Sequence, residues 1–121
     1  MPTVESRVKA GINKVLDAFG VYYFMPVQMG LGKAGLDYHC VMRFGDHALA
    51  FFIEAKKPDE EPTPRQDTFA DDRRKQQAAR TFVIDYDPKT KQGKRTTAEL
   101  VEFLGRMKEF NERYRLAPPT H

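Results

Sequence analysis

The sequence predicts a mixed α/β domain with the element order α-β-β-β-α-β-α. Three observations carry this expectation. An aliphatic stripe at helical spacing opens the chain, three aromatic and β-branched runs follow it, and two later segments begin with helix-capping residues. In residues 4–19, Val4, Val8, Ile12, Val15, Leu16 and Phe19 recur on one face of a helix, with Thr3 as N-cap and Gly20 at its end. VYYFMPVQM at 21–29 reads as a strand interrupted or bordered by Pro26. LDYHCVMRF at 36–44 and ALAFFIEA at 48–55 read as two strands joined by a tight turn at Gly45-Asp46. PDEEPTP at 58–64 is a loop by composition.

A helix is predicted from about 64 to 78. Thr63 serves as its N-cap, Pro64 occupies its first position, and Gln66 completes a capping box. TFVIDY at 81–86 is a short apolar strand. The last helix spans about 97–115, with Thr96 and Glu99 as a second capping box. Leu100, Phe103, Leu104, Met107, Phe110 and Tyr114 form its apolar stripe. Residues 1–116 thus make a single domain, and 117–121 a loose tail.

Composition narrows the function classes. The chain has 121 residues, 40% hydrophobic and 31% charged, which suits one globular domain with a real core. No apolar run approaches the ~20 residues that span a bilayer, and MPTVESRVKAG lacks the apolar core of a secretory signal. Cys40 is the only cysteine, which excludes an internal disulfide framework and a cysteine-based zinc cage. The expected location is a reducing cytoplasm, with no membrane partner. Net charge is +3 and unevenly spread: Lys89, Lys91, Lys94 and Arg95 crowd one loop, and Arg73, Arg74 and Lys75 follow Asp71 and Asp72. Basic segments of this kind contact phosphates, or are solvated loops and helix faces.

Gly30-Leu-Gly32-Lys-Ala-Gly35 matches G-x-G-x-x-G literally. A dinucleotide site needs those glycines to open a helix, whereas the segment after them reads as a strand. They are better explained as a turning connection between strands.

Asp37 and Glu54-Ala55-Lys56 are the more informative pattern. Alternation along a strand puts Glu54 and Lys56 on one face and Ile53 and Ala55 on the other. A hairpin turning at 45–46 brings position 37 roughly opposite 54. Two carboxylates and an ammonium are thereby gathered at one end of a sheet. Two carboxylates with a backbone carbonyl, that of Ala55, form a hard oxygen site suited to Mg²⁺ or Mn²⁺. Such an ion lowers the pKa of a bound water, and a neighbouring lysine positions that water and offsets developing charge. Asp87-Pro88-Lys89 repeats the acidic-x-Lys pattern, but Pro88 and the basic loop mark it as a turn.

Gly35-Leu36-Asp37, Phe52-Ile53-Glu54-Ala55-Lys56 and Thr63-Pro64-Arg65-Gln66 together resemble the PD-(D/E)XK nuclease superfamily, and within it the VRR-NUC branch of small phage and repair-associated nucleases. The resemblance covers roughly residues 4–86. It implies a restriction-endonuclease-like core, α-β-β-β-α-β, with a mixed sheet flanked by helices and helix 97–115 as an addition. It also implies roles: Asp37 and Glu54 as metal ligands, Lys56 acting on the nucleophilic water, Gln66 beside the site. Glu5 is the acidic candidate for the glutamate that many members carry on the first helix. Leu36 stands where a proline is usual, and Arg80 where a glycine is common; neither change removes a ligand.

Other residues have plainer readings. Gln66 also serves its capping box, and Glu5 favours the positive end of its helix. His39 shares the Asp37 face and reads as structural, as Cys40 on the opposite face reads as core. Tyr22 and Tyr23 read as sheet packing rather than base stacking. Given a phosphodiester substrate, Lys57 and Arg65 flank the site, while Arg73, Arg74, Lys75, Lys91, Lys94 and Arg95 become candidate nucleic-acid contacts.

The reading is therefore a metal-dependent endonuclease that hydrolyses DNA in a bacterial or phage-infected cell, with structure-selective action on branched or flapped DNA implied by the resemblance. A homodimer is expected, with helix 97–115 as either a seam or part of the core. The alternatives are a non-catalytic nucleic-acid-binding or assembly protein on the same fold, and an interaction protein that exposes the 97–115 stripe.

Overall fold

The computed structural model describes residues 3–26, 37–62, 64–77 and 79–116. Its elements run α1 (Val4–Ala18), β1 (Tyr22–Phe24), β2 (Tyr38–Phe44), β3 (His47–Ala55), α2 (Pro64–Gln77), β4 (Arg80–Ile84) and α3 (Ala98–Leu116). The strands form one sheet in the order β1-β2-β3-β4. β1, β2 and β3 are antiparallel neighbours, and β4 joins β3 in parallel. The parallel pair needs a crossover connection, which α2 supplies. The chain is thus a mixed α/β structure with a four-stranded mixed sheet and three helices.

Local chemistry explains the boundaries. The Thr3 hydroxyl accepts the Ser6 N–H at 3.1 Å and caps α1. At the other end Gly20 takes φ +66°, and the Gly20 and Val21 N–H groups reach back to Asp17 and Leu16 carbonyls, a Schellman closure. β1 is shorter than the predicted 21–29. Pro26 has no N–H for a ladder, and the chain leaves the sheet after Phe24. Residues 27–36, which include the G-x-G-x-x-G pattern and Gly35-Leu36, lie outside the described residues, as do Thr63 and the 117–121 tail.

The β2–β3 hairpin turns at Gly45-Asp46, as the sequence predicts. Gly45 has φ +63°, a conformation that glycine adopts without steric cost. β4 stops at Ile84 rather than at 86. Asp85 there turns its carboxylate to the Arg95 N–H at 2.7 Å and the Asp59 N–H at 2.7 Å, and the chain leaves the ladder. α3 is capped by the Thr96 hydroxyl, which accepts the Ala98 N–H at 3.2 Å. Glu99 lies 3.9 Å from the Arg80 guanidinium.

The core lies on one face of the sheet. Tyr38 and Cys40 of β2, Phe51 and Ile53 of β3, and Phe82 and Ile84 of β4 pack against Val8, Ile12 and Leu16 of α1 and Leu100 and Leu104 of α3. Phe103 stacks edge-on against Phe51 and Phe82. The 97–115 stripe is therefore spent within the chain's own core at Leu100 and Leu104, both fully buried. Leu100 and Leu104, in the first half of α3, thus belong to the monomer's core. Phe110 and Tyr114, towards the C-terminal end of α3, remain partly exposed. α2 covers the opposite face, where Phe52, Ala79 and Ala70 cluster. Tyr23 packs on Tyr38, with ring centroids 5.7 Å apart. Tyr22 does not pack as expected: its alternate side of this three-residue edge strand leaves it 69% exposed. Cys40 is buried, in keeping with its reading as a core residue.

Candidate active site

The register sets the site. Tyr38 pairs with Ile53, so the next positions outward are Asp37 and Glu54. The two residues hold each other through the backbone. Asp37 donates its N–H to Glu54 Oε2 at 3.1 Å, and the Ala55 N–H donates to Asp37 Oδ2 at 2.8 Å. Gln66, in the first turn of α2, donates from Nε2 to Glu54 Oε1 at 2.7 Å. Lys56 Nζ lies 3.5 Å from Glu54 Oε1 and 3.8 Å from Glu60 Oε1. Asp37, Glu54, Lys56 and Gln66 are thus brought together at the carboxyl end of the parallel β3–β4 pair. In open α/β sheets this is where ligands bind.

Glu5 and Lys9, one turn apart on α1, reach the same place. Lys9 Nζ is 3.5 Å from Glu5 Oε1 and 3.9 Å from Asp37 Oδ1. Lys9 escaped the sequence reading, although its spacing four residues beyond Glu5 was the available signal. Glu60, the second partner of Lys56, was also missed, because a loop read from composition carries no orientation.

Glu54 is 2% exposed and Lys56 7% exposed. Burial, followed by repulsion from Asp37, pushes the Glu54 carboxyl up to about 7, partly opposed by Lys56. A carboxyl raised on folding binds more protons in the folded chain. Its contribution to stability is therefore full below about pH 4.5 and is lost as pH rises through about 7. Glu54→Gln, which cannot ionise, is expected to gain stability relative to wild type as pH rises from 4.5 to 8 in the presence of chelator. Urea midpoints at pH 4.5, 6, 7 and 8 check this; parallel curves for the two proteins would refute it.

Asp37 and Glu54 also answer the question of which residues could hold a metal. Among the described residues no group of three or more His, Cys, Asp or Glu side chains is placed to hold an ion. Mg²⁺, however, retains much of its water and is bound by one or two carboxylates together with substrate phosphates. A nearly inaccessible carboxylate destabilised by burial and by its neighbour is also the kind of group a cation relieves. The donor set fits a single hard divalent ion.

The basic candidates divide into two places. Lys57, Lys91 and Lys94 are exposed. Lys94 lies 3.9 Å from Asp59, in the segment that follows Lys56. Arg95 belongs to the same loop as Lys94, but its guanidinium is engaged with Asp85 at 3.2 Å and with the Glu60 carbonyl. That makes it a brace for the loop. Asp87 accepts from the Lys89 N–H at 3.0 Å, the turn anticipated for Asp87-Pro88-Lys89. Arg73, Arg74 and Lys75 sit near the far end of α2, and Arg74 pairs with Asp71 at 3.0 Å. At 1.5 Å per residue, eight residues separate Arg74 from Gln66 by about 12 Å. The side chain of Arg65 lies outside the described residues. His39 is sandwiched between Phe24 and Phe52, a structural placement, and His47 is exposed.

No protein-family profile, curated protein or solved structure matches this chain. Among the described residues, no helix is long and apolar enough to cross a membrane.

Proposed function

We propose that the protein is a metal-dependent endonuclease that hydrolyses DNA phosphodiesters on a restriction-endonuclease-like core. The observation that carries this reading is the mutual locking of Asp37 and Glu54 across the β2–β3 register, with the Lys56 ammonium 3.5 Å from Glu54. Such residue types aligned on a strand end have a chemical use, and their buried hydrogen bonds pre-organise them for it. The strand order and the α2 crossover support the same core.

A bound Mg²⁺ or Mn²⁺ would supply Lewis acidity and an acidified water. Asp37 and Glu54, with the Ala55 carbonyl, would hold it. Lys56 orients the attacking water and offsets charge on the phosphoryl oxygen. Gln66 fixes the Glu54 carboxylate through its amide N–H. Water adds to phosphorus, the bond to the leaving sugar oxygen breaks, and that oxygen departs with a proton. Lys57, Lys91 and Lys94 are exposed and, in this reading, supply phosphate contacts that position the strand without reading its sequence.

The test is cleavage of supercoiled plasmid and of flap, fork and four-way-junction DNAs, each with Mg²⁺, with Mn²⁺ and with chelator. Wild type is expected to cut only with a metal ion, and Glu54→Ala not to cut. Salt-sensitive DNA binding without metal-dependent cutting would replace this reading with that of a non-catalytic DNA-binding protein.

A further inference from the structure

We infer that Lys9 takes the place of a second divalent cation, so that the site works with one metal ion per chain. This rests on the nuclease reading above and concerns how its charge is balanced. Glu5, Lys9 and Asn13 form a polar stripe on α1 at four-residue intervals, alongside the start of β2. The Tyr38 hydroxyl, next in sequence to Asp37, directs its single proton to Asn13 Oδ1 at 2.6 Å, with the Lys9 carbonyl oxygen 3.2 Å away. Tyr38 is fully buried, so the turn of α1 that bears Lys9 is fixed against the strand that bears Asp37.

The Lys9 ammonium then stands between Glu5, 3.5 Å away, and Asp37, 3.9 Å away. Without it, Glu5 and Asp37 would leave two negative charges facing one another beside Glu54. Their shared counter-charge is already built into the chain. Asp37 divides its oxygens accordingly: Oδ2 accepts the Ala55 N–H, while Oδ1 is the oxygen nearest Lys9. An ammonium is a compact point charge with three donors and no coordination demand. It cannot acidify water as a metal ion does, but it supplies positive charge near the phosphate. The carboxylates that remain for a divalent ion are Asp37 and Glu54.

The experiment is Mn²⁺ binding to the full chain without DNA, counted by electron paramagnetic resonance of the free ion. Wild type is expected to bind one ion per chain and Lys9→Met two, with Lys9→Gln as a second variant should Lys9→Met fold poorly. Adding Glu5→Gln returns the count to one, and Lys9→Arg, which keeps the charge, stays at one. Two ions in wild type, or one ion of unchanged affinity in Lys9→Met and Lys9→Gln, would overturn the inference alone. Binding undiminished in Glu54→Ala, or no binding to wild type at millimolar Mn²⁺ either alone or beside a short DNA dinucleotide, would overturn the metal-nuclease reading and the inference with it.

Discussion

If the protein is the proposed nuclease, Lys56→Met is expected to lower the single-turnover rate of metal-supported DNA cleavage by about 10²–10³-fold, the usual cost of removing one pre-organised electrostatic group, while affinity for DNA stays within a few-fold of wild type. Methionine keeps the length and apolar stem of the lysine, so packing at this 7% exposed position is largely preserved. What disappears is the positive charge between Glu54 and Glu60. Two consequences separate this role from a structural one. The rate constant falls rather than the binding constant, because the charge is needed most as the phosphoryl oxygens gain charge. The pH profile also moves upward, since Lys56 opposes the burial that raises the Glu54 carboxyl. A loss confined to DNA affinity, with the saturated rate intact, would make Lys56 a phosphate anchor only.

Arg7→Ala is expected to lower the melting temperature by about 10 °C at neutral pH. Asp87 is wholly buried and accepts the Arg7 guanidinium at 2.8 and 3.1 Å, along with the Thr90 hydroxyl and the Lys89 N–H at 3.0 Å each. Removing Arg7 leaves a buried carboxylate with only neutral partners, and its uncompensated charge costs more than the pair contributes. Arg7 and the hydrogen bonds to Lys89 and Thr90 hold the Asp87 carboxyl well below the ordinary carboxylate range. For a depressed carboxyl, the stabilisation is present above about pH 4, the unfolded value, and is lost as pH falls further. The gap between wild type and Arg7→Ala therefore narrows on acidification. Thermal melts from pH 3 to 8 check this, and a gap that stays constant or widens towards pH 3 would refute it. α1 also carries Glu5 and Lys9, so the variant is further expected to loosen the site from the helix side.

Much of the site was readable because strands obey a period of two. Glu54 and Lys56 share a face wherever the strand runs straight, and a two-residue turn at Gly45-Asp46 fixes which residue of β2 meets Glu54. The hydrogen bonds between Asp37, Glu54 and Ala55 follow directly from that register. Gln66 was set beside the site by the resemblance, its capping position being the plainer reading, and its amide donates to Glu54. Arg95 was less legible. Its charge suggested a phosphate contact, yet it serves Asp85, because burying a carboxylate beneath a loop requires a local cation.

The amino-acid order by itself determined the element sequence, the Thr3 and Thr96 caps, the hairpin turn and the pairing that joins Asp37 to Glu54. These depend on interactions between near neighbours in the chain, which repeat with fixed periods. Only the tertiary structure decided that Lys9 faces Asp37, that Glu60 faces Lys56, that Arg7 closes on Asp87, and that Leu100 and Leu104 of the α3 stripe are covered by the chain's own sheet. Each depends on how a helix or loop is docked across the sheet. Docking is set by the summed packing of Val8, Ile12, Leu16, Leu100 and Leu104, which has no period that a single segment can display.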